Sequence, residues 1–299
     1  MKFVAMKAYA KLNLTLDILD VRGDGYHELR SVMQQISLHD TVIAKKTSGT
    51  GFKFICKSGE IPRDGKNLVC KAALKMITEY KIDRGFSIKL VKRIPVSAGL
   101  GGGSADCAAA LRCVARLFKI DVSAERLIEI GGGLGSDVPF CLFGGTARVS
   151  GAGERLERLG AHPKCCVVVA RPPVSVSTGE AFARFDKSEK SGRTDATAAM
   201  VRAIEGGNLK KIADSLGNDF LPGAIAEYPA VGGLIECMRQ NGALNSSMTG
   251  SGPSVFGYFE TYAGALGCVK KIKSKFRDVK EIFAARVING GAARGFADE

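Results

Sequence analysis

"RIPVSAGLGGGSADCAAALRCVARLF", residues 93–118, decides how this chain is read. Four of the five residues from Gly99 to Gly103 are glycine, and alanine takes over at once. Glycine in an ordered loop costs conformational entropy, so a cluster this dense needs a cause. The preceding "FSIKLVKR" (86–93) places Phe86, Ile88 and Leu90 on one side, as a strand does. Leu111, Val114, Ala115 and Phe118 then recur at helical spacing. Strand, glycine loop, helix is the order of a phosphate cradle. Unpaired N–H groups of the first helical turn face the anion, and the helix dipole favours negative charge there. Ser104 adds a hydroxyl. A plain structural turn would need one or two glycines.

The loop is not a Walker A motif, because no G-x-x-x-x-G-K-[ST] occurs. A dinucleotide-binding G-x-G-x-x-G fails at its last position, where Ser104 stands. Protein-kinase signatures are absent.

Outward from the loop, "LNLTLDIL" (12–19) alternates, with Leu12, Leu14, Leu16 and Ile18 on one face. Lys11, Asn13, Thr15 and Asp17 share the other. "NLVCKAALKMITEYK" (67–81) has helical period, with Asn67 a plausible N-cap. "SAERLIEI" (123–130) is a short helix capped by Ser123. "GSDVP" (135–139) reads as a turn before Pro139. A composition shift at 150–164 suggests a hinge between lobes 1–155 and 156–299. The second half holds strands at 165–170, 254–259 and 281–288. Helices are expected around 192–216 and 229–240 and from Tyr262, and the polar stretch from Ser177 is expected to hold a helix and a mobile loop. Alternating strands and helices in both halves point to two α+β lobes with a cleft between them.

The 299 residues are 45% apolar and 24% charged, ordinary for a globular protein with a proper core. No apolar run approaches the ~20 residues of a membrane span. Lysines at 2, 7 and 11 leave no signal-peptide core, so a cytoplasmic location is expected. Nine scattered cysteines without C-x-x-C, and only three histidines, argue against a disulfide framework and a protein-held metal site. The net charge of +13 favours an anionic partner, or else reflects a lysine-rich surface. No basic run exceeds two residues, so no nucleic-acid-binding arm is present.

"PVSAGLGGGSADCAAAL" (95–111) resembles the ATP-binding motif of the GHMP kinases. "AKLNLTLDILDVRGDGYHELRSVMQQISLHD" (10–40), "GLGSDVPFCLFGG" (133–145) and "MTGSGPSVFG" (248–257) are similar, in order and spacing, to one branch of that family. That branch acts on a small molecule bearing a cytidine diphosphate group, in isoprenoid precursor synthesis. The resemblance implies an α+β, two-lobed fold. Its N-terminal lobe is like domain 2 of ribosomal protein S5 and its C-terminal lobe is ferredoxin-like. It implies ATP with Mg²⁺ carried on it, an alcohol acceptor, no membrane or nucleic-acid partner, and a monomer or weak homodimer.

Carried over by this resemblance, Lys11 and Asp137 are the catalytic pair. Pro95, Val96, Ser97, Ala98, Gly99, Leu100, Gly101, Gly102, Gly103, Ser104 and Ala105 bind the nucleotide. Asn67 reaches adenine or ribose, or caps its helix. Tyr26 and His27 recognise cytosine, Phe182 stacks on its other side, and Asn13 and Thr249 line the substrate site. Ala105 departs from the family, which often has a second serine there. Asp106 is expected to point away from the phosphates as a helix-start acid. Two other readings remain open: a homoserine- or mevalonate-type kinase of the same family, and an RNA-binding protein.

Overall fold

The computed structural model describes residues 2–21, 23, 27–187 and 195–290. Two long antiparallel strands open the chain, β1 (Phe3–Val21) and β2 (His27–Lys46). β3 (Phe52–Cys56), α1 (Leu68–Tyr80) and β4 (Phe86–Val91) form a βαβ unit in which β3 runs parallel to β4. The glycine loop then enters α2 (Gly102–Phe118), followed by α3 (Ala124–Gly132) and α4 (Val138–Phe143). A hairpin of β5 (Thr146–Gly151) and β6 (Arg155–Arg158) completes this half.

The second half runs β7 (Cys166–Arg171), α5 (Thr178–Lys187), α6 (Ala196–Glu205), α7 (Leu209–Asp214) and β8 (Gly217–Asn218). It continues with α8 (Leu221–Glu227), α9 (Pro229–Gln240), β9 (Ser246–Met248), β10 (Val255–Phe259), α10 (Tyr262–Lys275) and β11 (Glu281–Arg286).

Two sheets result. The first has the order β3-β4-β2-β1-β8, with β5 also pairing to β2 and β6 to β5. The second is antiparallel, in the order β11-β7-β10-β9, and α9 and α10 pack against it. The halves interpenetrate. β8 pairs parallel with β1 at Thr15 and Leu16, and Ile36 bridges to Val287. One core joins Ala10, Leu12 and Leu14 of β1 to Val167, Val169 and Tyr258 of the second sheet.

α2 lies at the centre of the first lobe, packed against α1, α3, α4, β1 and β2. The helical stripe read from the sequence understates its burial. Ala105, Ala108, Ala109 and Ala110 are buried too, because small side chains let neighbours approach from several directions. The stretch 150–158 is part of the β5–β6 hairpin. The helix expected in the polar segment after Ser177 is present as α5, and α6 packs on β1 and β2. Asp137 lies in the turn expected before Pro139, at the N-cap of α4. Pro139 is tolerated there because a first-turn residue needs no intrahelical N–H bond.

Candidate active site

β1 carries the first half of the site through its irregularities. Its pairing with β2 shifts register between Tyr9 and Lys11 and again between Asn13 and Thr15. Such bulges re-aim side chains and free backbone groups from the ladder. The Lys11 N–H donates to Leu100 O at 3.0 Å, tying the strand to the glycine loop. The polar face read from the alternation is buried rather than solvated, and Lys11, Asn13, Thr15 and Asp17 are all nearly inaccessible. Each is therefore partnered. Lys11 Nζ donates to Asn13 Oδ1 at 2.6 Å, and Asn13 Nδ2 donates to Ser31 Oγ at 2.8 Å. Asp17 Oδ2 accepts the Thr197 N–H at 3.0 Å, and burial pushes its carboxyl above the usual range.

α4 supplies the partner of Lys11. Asp137 caps no backbone N–H with its side chain, which is left to reach Lys11 Nζ at 3.2 Å. The Asp137 side chain keeps 27% of its surface exposed, so an incoming group has access to it. The glycine loop passes directly over this pair. A Cβ on Gly101 would meet Lys11 Cγ at 2.8 Å and lie 3.6 Å from Asp137 Oδ2. Gly101 also has φ +66°, a conformation that side chains disfavour. The loop and the Lys11–Asp137 pair are thus one packed unit.

A cavity of about 340 Å³ opens on this loop. Residues 95–104 line it together with Ile61, Pro62, Lys66, Asn67, Leu68, Lys92 and Asp106. An adjoining cavity of about 900 Å³ shares Lys92 and Val96 with it. Asn67 stands on the wall, but its side chain is engaged locally. Oδ1 accepts the Val69 N–H at 2.8 Å and Nδ2 donates to Pro62 O at 2.8 Å, so it caps α1. Ala105 is buried in the core of the first lobe. Asp106 is 3% exposed on the second turn of α2, rather than at its start, and pairs with Lys92 at 2.9 Å. A buried acid must find a charge partner, and Lys92 is the cation in reach.

The second glycine turn braces the first. Thr249 Oγ1 accepts the Asn13 N–H at 2.9 Å and donates to Gly99 O at 3.2 Å. Gly99 has φ +72°, and a Cβ on it would lie 2.2 Å from Thr249 O. Asn218 Nδ2 donates to Met248 O and Gly250 O, each at 2.9 Å, holding the turn from below. Ser31, Asn218 and the Lys92 cluster were not singled out from the sequence. Asn218 had a faint local signal, an Asx turn in which its Oδ1 accepts the Phe220 N–H at 2.9 Å.

Comparison with known proteins identifies the family. Residues 67–145 match the GHMP kinases N terminal domain, and residues 200–278 match the GHMP kinases C terminal domain. The chain is 41% identical to the 4-diphosphocytidyl-2-C-methyl-D-erythritol kinase of Caldicellulosiruptor saccharolyticus, over 92% of this chain and 94% of that one. The chain belongs to the 4-diphosphocytidyl-2-C-methyl-D-erythritol kinase family. The kinase of the same name from Acetivibrio thermocellus is 40% identical, over 87% of this chain and 91% of that one. A crystal structure of 4-(cytidine 5'-diphospho)-2C-methyl-D-erythritol kinase superposes with a TM-score of 0.82 at 30% identity, covering 96% of this chain and 100% of that one. Mevalonate kinase of L. major shares the fold alone, with a TM-score of 0.77 at 16% identity, over 97% and 98% of the two chains. The architecture is the α+β, two-lobed GHMP kinase fold.

In this member of the 4-diphosphocytidyl-2-C-methyl-D-erythritol kinase family, two of the aromatic residues expected at the cytosine, His27 and Phe182, lie together. His27 stacks on Phe182, with ring centroids 4.7 Å apart and planes at 19°. His27 Nε2 is 2.8 Å from Asp186 Oδ1, which orients the ring. Tyr26 falls outside the described residues. All nine cysteines are free and buried, and burial pushes the Cys107 and Cys113 thiols up to about 12, so neither is a ready nucleophile. Among the described residues, no group of three or more His, Cys, Asp or Glu side chains is arranged to hold a metal ion. No helix among them is long and apolar enough to cross a membrane.

Proposed function

We propose that this protein transfers the γ-phosphoryl group of ATP to the 2-hydroxyl of 4-diphosphocytidyl-2-C-methyl-D-erythritol, on the route to isopentenyl diphosphate. The observation that carries the proposal is the Lys11–Asp137 pair seated against Gly101. It places a carboxylate and an ammonium beside the loop whose N–H groups are suited to a polyphosphate.

In the transfer, the acceptor oxygen bonds to the γ-phosphorus while the bond from that phosphorus to the β–γ bridging oxygen breaks. The hydroxyl proton passes to Asp137, and ADP leaves. An aspartate of reference pKa ~3.9 cannot strip an alcohol of pKa ~15.7 beforehand, because a gap of ~12 units is ~16 kcal/mol. A loose transition state needs little nucleophilic push, so the proton leaves late. Asp137 orients the hydroxyl and accepts its proton as the new bond forms. Lys11, fixed by Asn13, offsets negative charge on Asp137 and on the transferring group. Positioning and electrostatics carry most of the rate. Mg²⁺ carried on ATP would neutralise phosphate charge during the transfer.

The cytidine end is read by His27 and Phe182, with Tyr26 next to His27 in sequence. This end separates the proposed substrate from homoserine or mevalonate. The lobe 1–155 carries the nucleotide and 156–299 closes the substrate side. Nine free cysteines suit a reducing, cytoplasmic setting. An ADP-release assay with the cytidyl substrate, beside homoserine and mevalonate, tests the proposal. Turnover confined to the cytidyl substrate supports it, and turnover of either alternative in its place refutes it.

A further inference from the structure

Behind the Lys11–Asp137 pair runs a chain of buried hydrogen bonds that the transfer itself does not use. Lys11 Nζ donates to Asn13 Oδ1 at 2.6 Å, closer than the 3.2 Å that separates it from Asp137 Oδ2. Asn13 Nδ2 donates to Ser31 Oγ at 2.8 Å, and Ser31 Oγ donates to Thr15 O at 2.6 Å. Asn13 and Ser31 are each 2% exposed, so bulk water cannot replace these partners.

Every link has a forced direction. A carbonyl only accepts, so the one hydroxyl hydrogen of Ser31 is committed to Thr15 O. The Ser31 oxygen is left as an acceptor, and the group that meets it must be the NH2 of Asn13. An ammonium only donates, so Lys11 must meet the Asn13 carboxamide oxygen. The two ends agree on one orientation of Asn13. The far end is itself anchored. Thr15 follows a register shift of β1 and pairs with Gly217 of β8. Its Oγ1 accepts the Val32 N–H at 2.9 Å and lies 2.8 Å from Thr197 Oγ1 of α6.

Lys11 needs such a hold. Its charge rides on a flexible four-carbon stem, and a misplacement of about 1 Å near reacting groups can cost about 10²-fold in rate. We propose that Ser31 is a positioning residue for phosphoryl transfer: it fixes the Asn13 carboxamide, which fixes the Lys11 ammonium against Asp137. This rests on the reading of Lys11 and Asp137 as the catalytic pair. Without the Ser31 oxygen, the Asn13 NH2 is buried and unpaired, a costly state. The carboxamide then turns toward another acceptor and releases Lys11. Ser31 does not line the cavity on the glycine loop, so nucleotide binding is spared.

Steady-state kinetics of wild type, Ser31→Ala, Ser31→Thr, Asn13→Ala and Lys11→Ala test this, with rates expressed per folded molecule. Ser31→Ala should lower kcat about 10- to 100-fold and leave KM for ATP and for the cytidyl substrate within about threefold. Ser31→Thr keeps the hydroxyl and should hold kcat within about threefold of wild type. In an Asn13→Ala background, adding Ser31→Ala should change kcat by less than about twofold, because the side chain it acts through is gone. If Ser31→Ala does not fold, Ser31→Cys serves in its place, since a thiol is a poor acceptor of similar size and should also lower kcat. A crystal structure of the slow variant should show the Lys11 ammonium displaced from Asp137, whatever the acceptor alcohol proves to be. An unmoved ammonium, an unchanged kcat, no recovery in Ser31→Thr, or losses that multiply in the double variant each overturn the proposal. Wild-type kcat in Lys11→Ala brings down the catalytic-pair reading as well, whereas a slow Lys11→Ala beside a fast Ser31→Ala overturns the role of Ser31 alone.

Discussion

The Thr249 hydroxyl accepts the backbone N–H of Asn13 at 2.9 Å, across 236 positions of sequence, while donating to Gly99 O at 3.2 Å. One fully buried side chain thus locks the second glycine turn to the first and to the strand that carries Lys11. Thr249→Val keeps the shape and removes both bonds, leaving a buried N–H and a buried carbonyl without that partner. A loss of about 1–3 kcal/mol in unfolding free energy is expected by urea titration. kcat should fall with it, since the lysine and the loop lose their common brace.

Asp137→Asn keeps the volume and removes the proton acceptor. Turnover should drop about 10²–10⁴-fold with little change in KM for either substrate, as for an interaction made in the transition state. Steady-state kinetics read this directly. A near-wild-type rate would remove Asp137 from the mechanism.

Gly101 and Gly103 should part company. Gly101→Ala strains a backbone at φ +66° and drives a methyl into Lys11, so both stability and activity should fall. At Gly103 a Cβ meets only Leu68 Cδ1 at 3.8 Å. Gly103→Ala, in the first turn of α2, should leave the melting temperature unchanged or raise it, by up to about 1 kcal/mol in stability. Its KM for ATP should nevertheless rise, because the methyl crowds the approach to the phosphate.

Phe182→Ala removes the ring stacked on His27. Base–aromatic stacking is worth about 1–3 kcal/mol. KM for the cytidyl substrate should therefore rise roughly five- to 150-fold, with KM for ATP unchanged. An equal rise for both substrates would count against a cytosine platform.

His162 offers a pH test away from the site. Its Nδ1 is 2.7 Å from Pro163 O and its Nε2 is 3.1 Å from Tyr258 OH. A carbonyl can only accept, so Nδ1 carries the hydrogen and Nε2 accepts from the tyrosine. Burial holds the imidazole below its ordinary value of 6.5. Above that value neither the folded nor the unfolded chain is protonated at this residue, and it contributes no pH dependence. As pH falls below it, the unfolded chain takes a proton that the folded chain refuses, so stability is lost until the folded pKa is reached. Melting temperatures between pH 7 and 5 should fall more steeply for wild type than for His162→Gln.

Much of this was legible in the chain itself. The glycine loop, Lys11, Asp137 and the alternation of β1 are local patterns, and local patterns survive in a linear text. What the text concealed is partnership at a distance. Asp40 and Lys92 are 52 positions apart. Asp106 therefore read as a helix-start acid, while folding gave it a buried cation. The polar face of β1 gave no sign of being inaccessible, because its cover comes partly from Thr197 and Asn218, far along the chain. Asp137 stands in the turn read before Pro139; what the text did not show is the short helix that starts at Val138, in whose first turn proline is welcome.

The short pairing of β8 with β1 bears on how the protein is made. β1 leaves the ribosome well before its outer neighbour at Gly217 and Asn218, which lies about 200 residues further along the chain. Until then that margin of the hairpin stays open to any other strand. Ile288, later still in the chain, donates its N–H to Gln35 O at 2.9 Å. Vectorial folding must therefore wait on the segment that carries β8, and termination ahead of it leaves a sticky fragment in place of a smaller enzyme.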